Sequence, residues 1–178
     1  YEEAERGARG ADPMTRAWLC LARGLVDLER GAFDEALAHY RRGLALFPGW
    51  YLLEEHVPEV LAEQGHATQA LAAYAALIER TGDPEFMDAA AEVHEARGEA
   101  AAAAALRARA HAAHEQRIAA FPTAAWGHAL DHFLAHEGDA SRAVELAEQN
   151  RDARPNGEAW TKLARAYLGA GRGDEARA

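Results

Sequence analysis

Trp160-Thr161-Lys162-Leu163-Ala164-Arg165-Ala166-Tyr167-Leu168-Gly169-Ala170-Gly171-Arg172-Gly173-Asp174-Glu175-Ala176 is the stretch that decides the fold. Trp160, Leu163, Ala164, Tyr167 and Leu168 recur at steps of three and four, which gathers them on one face of an α-helix. Gly171 then reads as a helix stop, because a left-handed backbone is cheap for glycine and costly for other residues. Working outward, Gly31, Gly65, Gly98 and Gly138 precede it at intervals of 34, 33, 40 and 33 residues. Each of the five has an alanine five positions on: Ala36, Ala70, Ala103, Ala143 and Ala176. A fixed period of this size marks a solenoid, in which each unit stacks on its neighbours.

The segments around the glycines carry the same helical spacing. Trp126, Leu130, Phe133 and Leu134 run before Gly138, and Phe33, Ala36, Leu37, Tyr40, Leu44 and Phe47 run after Gly31. Pro48, Pro84, Pro122 and Pro155 stand where one unit hands over to the next. Asp83-Pro84-Glu85 reads as a cap, a first-turn proline and a first-turn acid, and Asn156 caps the last helix. Hydrophobic residues make up 49% of the 178-residue chain, with alanine prominent, so the core is expected to be thin. Alanine, leucine, glutamate and arginine favour helix, and scarce β-branched residues argue against sheet. The lone Cys20 excludes an internal disulfide and reads as a buried structural thiol.

The net charge is −10, and it is unevenly spread. Residues 51–100 hold eleven acids against Arg80 and Arg97, a balance of −9, while the flanking segments are nearly neutral. Such a field repels nucleic acid and attracts basic peptides or cations. No apolar run approaches the roughly 20 residues of a membrane span. The sequence shows no signal peptide, and the cytoplasm is the favoured compartment. A single lysine, Lys162, among many arginines hints at a high-GC, bacterial coding bias.

Trp160-x2-Leu163-Ala164-x2-Tyr167-x3-Gly171-x4-Ala176 resembles the tetratricopeptide-repeat signature in residue types and spacing, and Gly31-x4-Ala36-x3-Tyr40-x7-Pro48 resembles its second half. The resemblance covers about five units and a fragment. It implies an all-α, right-handed superhelical solenoid of antiparallel helix pairs, running as one array over residues 1–178 and cut from a longer array at both ends. Three departures stand out. Pro58 lies inside a first helix and should kink it or delay its start. The 40-residue unit should give a long helix over roughly Ala100–Ala120. Arg23 and Asp27 occupy positions where the family usually keeps apolar or aromatic residues.

If the resemblance holds, the first helix of each pair lines a concave groove, with residues ten, six and two before each turn glycine facing it. Those positions read Leu21, Leu25 and Glu29; then Glu55, Glu59 and Glu63; then Asp88, Glu92 and Ala96; then His128, His132 and His136; then Thr161, Arg165 and Gly169. An acidic wall is thus followed by a histidine wall and one cation. Like charges along a helix face disfavour one another, and a basic ligand, protonated histidines or a metal would offset this; screening in a wide, wet groove would as well.

Three classes of function follow. The first is a non-catalytic protein-interaction scaffold that binds a basic peptide or protein segment through Glu55, Glu59, Glu63, Asp88, Glu92, His128, His132, His136 and Arg165, without a cofactor. The second is a site for a divalent transition metal such as zinc, manganese or iron, with Glu59, Glu92, His128 and His132 as ligands. The third is a metal-dependent hydrolase with Asp131 or Glu92 as base. No phosphate loop, nucleophile elbow or metalloprotease motif supports the third. Asp131 otherwise reads as a buried acid paired with a helix end or with Arg165. His111 and His114 are expected on the outer face of the long helix. Trp126 and Trp160 are expected to pack, while Trp18 and Trp50 are expected half-exposed. Open repeat ends allow self-association.

Overall fold

The computed structural model describes residue 3, residues 7–135 and residues 140–177, with Arg9 described by its backbone alone. Ten α-helices run through these residues: α1 Pro13–Glu29, α2 Phe33–Leu46, α3 Tyr51–Glu54, α4 His56–Glu63, α5 Ala67–Thr81, α6 Pro84–Ala96, α7 Ala100–Ala120, α8 Pro122–Ala135, α9 Ala140–Ala153 and α10 Gly157–Gly169. Short 3₁₀ turns, Ala8–Gly10 and Glu175–Arg177, flank them. No strand occurs among the described residues.

The turn glycines do what their spacing implies. Gly31, Gly65, Gly98 and Gly171 take φ between +71° and +78°. The amide one residue beyond each glycine donates back to the carbonyl five residues before it. The bonds are Ala32 to Asp27, His66 to Leu61, Glu99 to His94 and Arg172 to Tyr167, all at 2.8–2.9 Å. This is the six-to-one closure of a left-handed helix stop, made four times on the sequence period. Gly138 lies outside the described residues.

Helix starts follow side-chain chemistry. Asp12 accepts from the Thr15 amide at 3.0 Å ahead of Pro13, and Asp83 accepts from the Glu85 amide at 3.1 Å ahead of Pro84. Asn156 accepts from the Ala159 amide at 2.9 Å and opens α10. Pro58 interrupts its helix as its missing N–H requires. The chain turns through α3, breaks at Glu55 and restarts as α4, where Pro58 falls in the first turn and no intrahelical donor is lost. The long α7 spans Ala100–Ala120.

The chain divides into two compact units, residues 1–106 and 107–178, with the boundary inside α7. In the first unit α1 packs on α2, α4 on α5, and α5 on α6. Its core joins Ala17, Leu21, Ala36, Leu37, Tyr40, Leu53, Val60, Leu61 and Ala70. Cys20 is buried beside them, and burial pushes its thiol up from the usual range. In the second unit α8 packs on α9 and α9 on α10, around Leu130, Phe133, Val144, Leu146 and Leu163, with Ile118 of α7 in the same cluster. Many core positions in both units are alanine, which lets neighbouring helices approach closely.

Candidate functional site

The acids of the first unit converge. Glu55, Glu59 and Glu63 project from α4 and the residue before it, and Glu92 projects from α6. All four line one cleft of about 700 Å³, together with Glu85 at the start of α6. The cleft floor is apolar, formed by Tyr74 of α5 with Phe86, Ala89 and Val93 of α6. Arg97 and His56 are the basic side chains on its walls.

Both basic groups are engaged locally. His56 Nδ1 lies 2.6 Å from Glu59 Oε2, and its Nε2 lies 3.7 Å from Glu55 Oε1. The His56 ring stacks on the buried Tyr40 at 5.1 Å between centroids, which fixes its orientation. Arg97 pairs with Glu99 at 2.8 Å and donates to Thr68 Oγ1 at 3.1 Å. Five glutamates therefore line one concavity together with two basic side chains, His56 and Arg97.

That field shows in the titration of the cleft's own groups. Burial raises the Glu55 carboxyl from its ordinary 4.5 to about 7; His56 opposes the rise, and Glu85, Glu59 and Asp83 add to it. Burial also raises the Tyr74 phenol, with Glu59, Glu92 and Glu55 adding to the effect. A carboxyl that holds its proton near neutrality sits among like charges in a partly dry site.

Asp88 is half-buried on α6 and does not line the cleft. Strict steps of four drift about 40° per step on a helix of 3.6 residues per turn. The face that α6 presents is instead Glu85, Ala89, Glu92 and Ala96, spaced four, three and four. Glu85 was legible only as a first-turn acid, and His56 and Tyr74 carried no sequence signal as cleft residues.

In the second unit the histidines separate. His128 is exposed on α8, while His132, one turn on, is 5% exposed. His132 meets two histidines of α7: its Nε2 lies 3.4 Å from His111 Nδ1, and its ring centroid lies 4.9 Å from that of His114. His114 is 2% exposed, so it does not sit on the outer face of α7 where the sequence placed it; His111 is exposed. Phe133 packs edge-on to His111 and His132, with centroids 5.2 Å away in each case. Of the metal set read from the sequence, Glu59 and Glu92 line the first unit's cleft, and His128 and His132 belong to the second unit. His136 lies outside the described residues.

Arg165 is exposed on α10. Asp131 is not a buried acid: its side chain is 62% exposed and accepts from Lys162 Nζ at 2.9 Å rather than from Arg165. Trp160, expected to pack, is 52% exposed because α10 buries the adjacent face of Ala159, Leu163 and Ala166. The Arg151 guanidinium covers its ring at 5.0 Å. Trp126 does pack against the second unit's core, and Trp18 is 52% exposed.

No protein-family model matches the chain, and no curated protein matches it. Solved structures do. TTC0263, a thermophilic TPR protein of Thermus thermophilus, is 20% identical over 90% of this chain and 86% of its own, with a TM-score of 0.62. BtubC (BKLC) from P. vanneervenii is 18% identical over 99% of this chain and 82% of its own, with a TM-score of 0.50. At these identities the likeness is one of fold. The chain is all-α and has the helical-repeat fold of tetratricopeptide-repeat proteins. No helix among the described residues is long and apolar enough to cross a membrane.

Proposed function

We propose that this chain is a non-catalytic protein-interaction module whose first unit takes an arginine- or lysine-bearing peptide segment into the acidic cleft. The observation that carries this reading is the convergence of Glu55, Glu59, Glu63, Glu85 and Glu92 on one cleft of about 700 Å³ with an apolar floor. A cleft of this size holds a few side chains, as ligand sites generally do. Phe86, Val93 and Tyr74 would take the aliphatic stem of an arginine or lysine, and the glutamates its charged head. Charge would supply selectivity and encounter rate, and apolar contact would supply residence. The fold adds support, since repeat arrays present extended surfaces of this kind.

Fluorescence anisotropy with a labelled arginine-rich peptide and an acidic peptide of equal length tests the reading. The basic peptide should bind, and the triple variant Glu55→Lys, Glu59→Lys, Glu92→Lys should abolish binding with its helical circular dichroism intact. Equal affinity for both peptides, or binding that survives the triple reversal, would sink the assignment.

A further inference from the structure

We propose that His111, His114 and His132 form a site for one divalent transition-metal ion with nitrogen preference, such as zinc or cobalt. All three histidines belong to the second unit, whereas the acidic cleft belongs to the first.

His111 and His114 stand three apart on α7, and His132 reaches them from α8. Two imidazole nitrogens bound to one tetrahedral ion at about 2.0–2.1 Å stand about 3.3–3.4 Å apart. His132 Nε2 and His111 Nδ1 are 3.4 Å apart. That is long for a hydrogen bond between ring nitrogens and matches two ligands of a shared ion. A ligand nitrogen of His114 comes within 4.8 Å of one on His132, and rotation of the His114 side chain would have to bring it in to complete the set around an ion.

Packing favours the same use. The His111 and His114 rings are tilted against His132 by 49° and 38°, so neither stacks flat on it. His114 and His132 are 2% and 5% exposed, which restricts their rotamers before any ion arrives. Phe133 supplies an apolar wall, and His111 is exposed and leaves a path to solvent. Three imidazoles suit zinc, cobalt, nickel or copper and disfavour magnesium and calcium, which take oxygen ligands. A water from solvent would complete a fourth position.

Cobalt(II) is the probe, added to the full chain purified without a histidine tag and followed by its visible absorption. One cobalt per chain should bind with an intense tetrahedral band, and zinc should displace it. His111→Ala removes an exposed ligand without opening the core, and should weaken cobalt about tenfold or more. His132→Gln should abolish the band, and the exposed His128→Ala should leave it unchanged. Absence of a tetrahedral band at equimolar cobalt, or wild-type affinity in His111→Ala, overturns the proposal and leaves the three rings as packing.

Discussion

Gly24 of α1 lies directly against Tyr40 of α2: a Cβ on Gly24 would stand 2.2 Å from Tyr40 Cε1 and 2.6 Å from Cδ1. Tyr40 is fully buried and stacked on His56, so its ring has nowhere to go. Glycine here is a packing requirement and sets how closely the two helices approach. Gly24→Ala gains about 1 kcal/mol of helix propensity and loses about 3 to overpacking, a net loss of about 2 kcal/mol. Urea denaturation should show it. Gly169→Ala, at the end of α10 with open space around it, should be neutral or slightly stabilising in the same assay.

Glu55 makes stability depend on pH with a definite sign. Its folded pKa of about 7 lies above the ordinary 4.5, so the folded chain binds this proton more tightly than the unfolded one. The contribution is fully present below about pH 4.5 and is lost as pH rises through about 7. Glu55→Gln removes the penalty of ionising a carboxyl in the cleft. The variant should match the parent at pH 4 and exceed it by about 2–3 kcal/mol at pH 8. Chemical denaturation of both proteins at the two pH values checks this.

The periodic parts of this fold were open to reading, and the site was open only in part. Gly31, Gly65, Gly98 and Gly171 announce their turns because left-handed backbone selects glycine whatever packs around it. Pro58 and Asp83 act through their own backbone and the next turn, so their effects are local too. Glu55, Glu59 and Glu63 line one cleft because three positions in steps of four stay on one broad face over so short a stretch. On α6 the same rule chose Asp88 over Glu85, and on α8 it grouped buried His132 with exposed His128, since small angular errors accumulate along a helix. The meeting of His111, His114 and His132 depends on how α7 and α8 pack in the second unit. No spacing within either helix encodes it.

Lys162 ties α10 to α8. Its side chain is 12% exposed, and its ammonium donates to the Gly127 carbonyl at 2.8 Å and to Asp131 at 2.9 Å, with Glu158 at 3.2 Å. Lys162→Met keeps the apolar stem and removes the charge and both donated bonds. The loss should be about 1–2 kcal/mol, read as a lower thermal midpoint. Asp131→Asn should cost well under about 1 kcal/mol, because Asp131 is mostly hydrated and an exposed ion pair contributes little.

Binding of a basic segment in the cleft should couple to proton release from Glu55. Near pH 6 this carboxyl is mostly protonated, and near pH 8 it is mostly ionised, given its pKa of about 7. A guanidinium or ammonium entering the cleft favours the ionised form and lowers that pKa, so part of the binding energy at low pH is spent expelling a proton. Affinity for the arginine-rich peptide should therefore rise about three- to tenfold from pH 6 to pH 8. Calorimetry in two buffers of different ionisation enthalpy should detect the released proton at pH 6. Glu55→Gln should flatten the pH profile while keeping binding through Glu59, Glu63, Glu85 and Glu92. A profile that stays flat in the parent protein would place the bound cation away from Glu55.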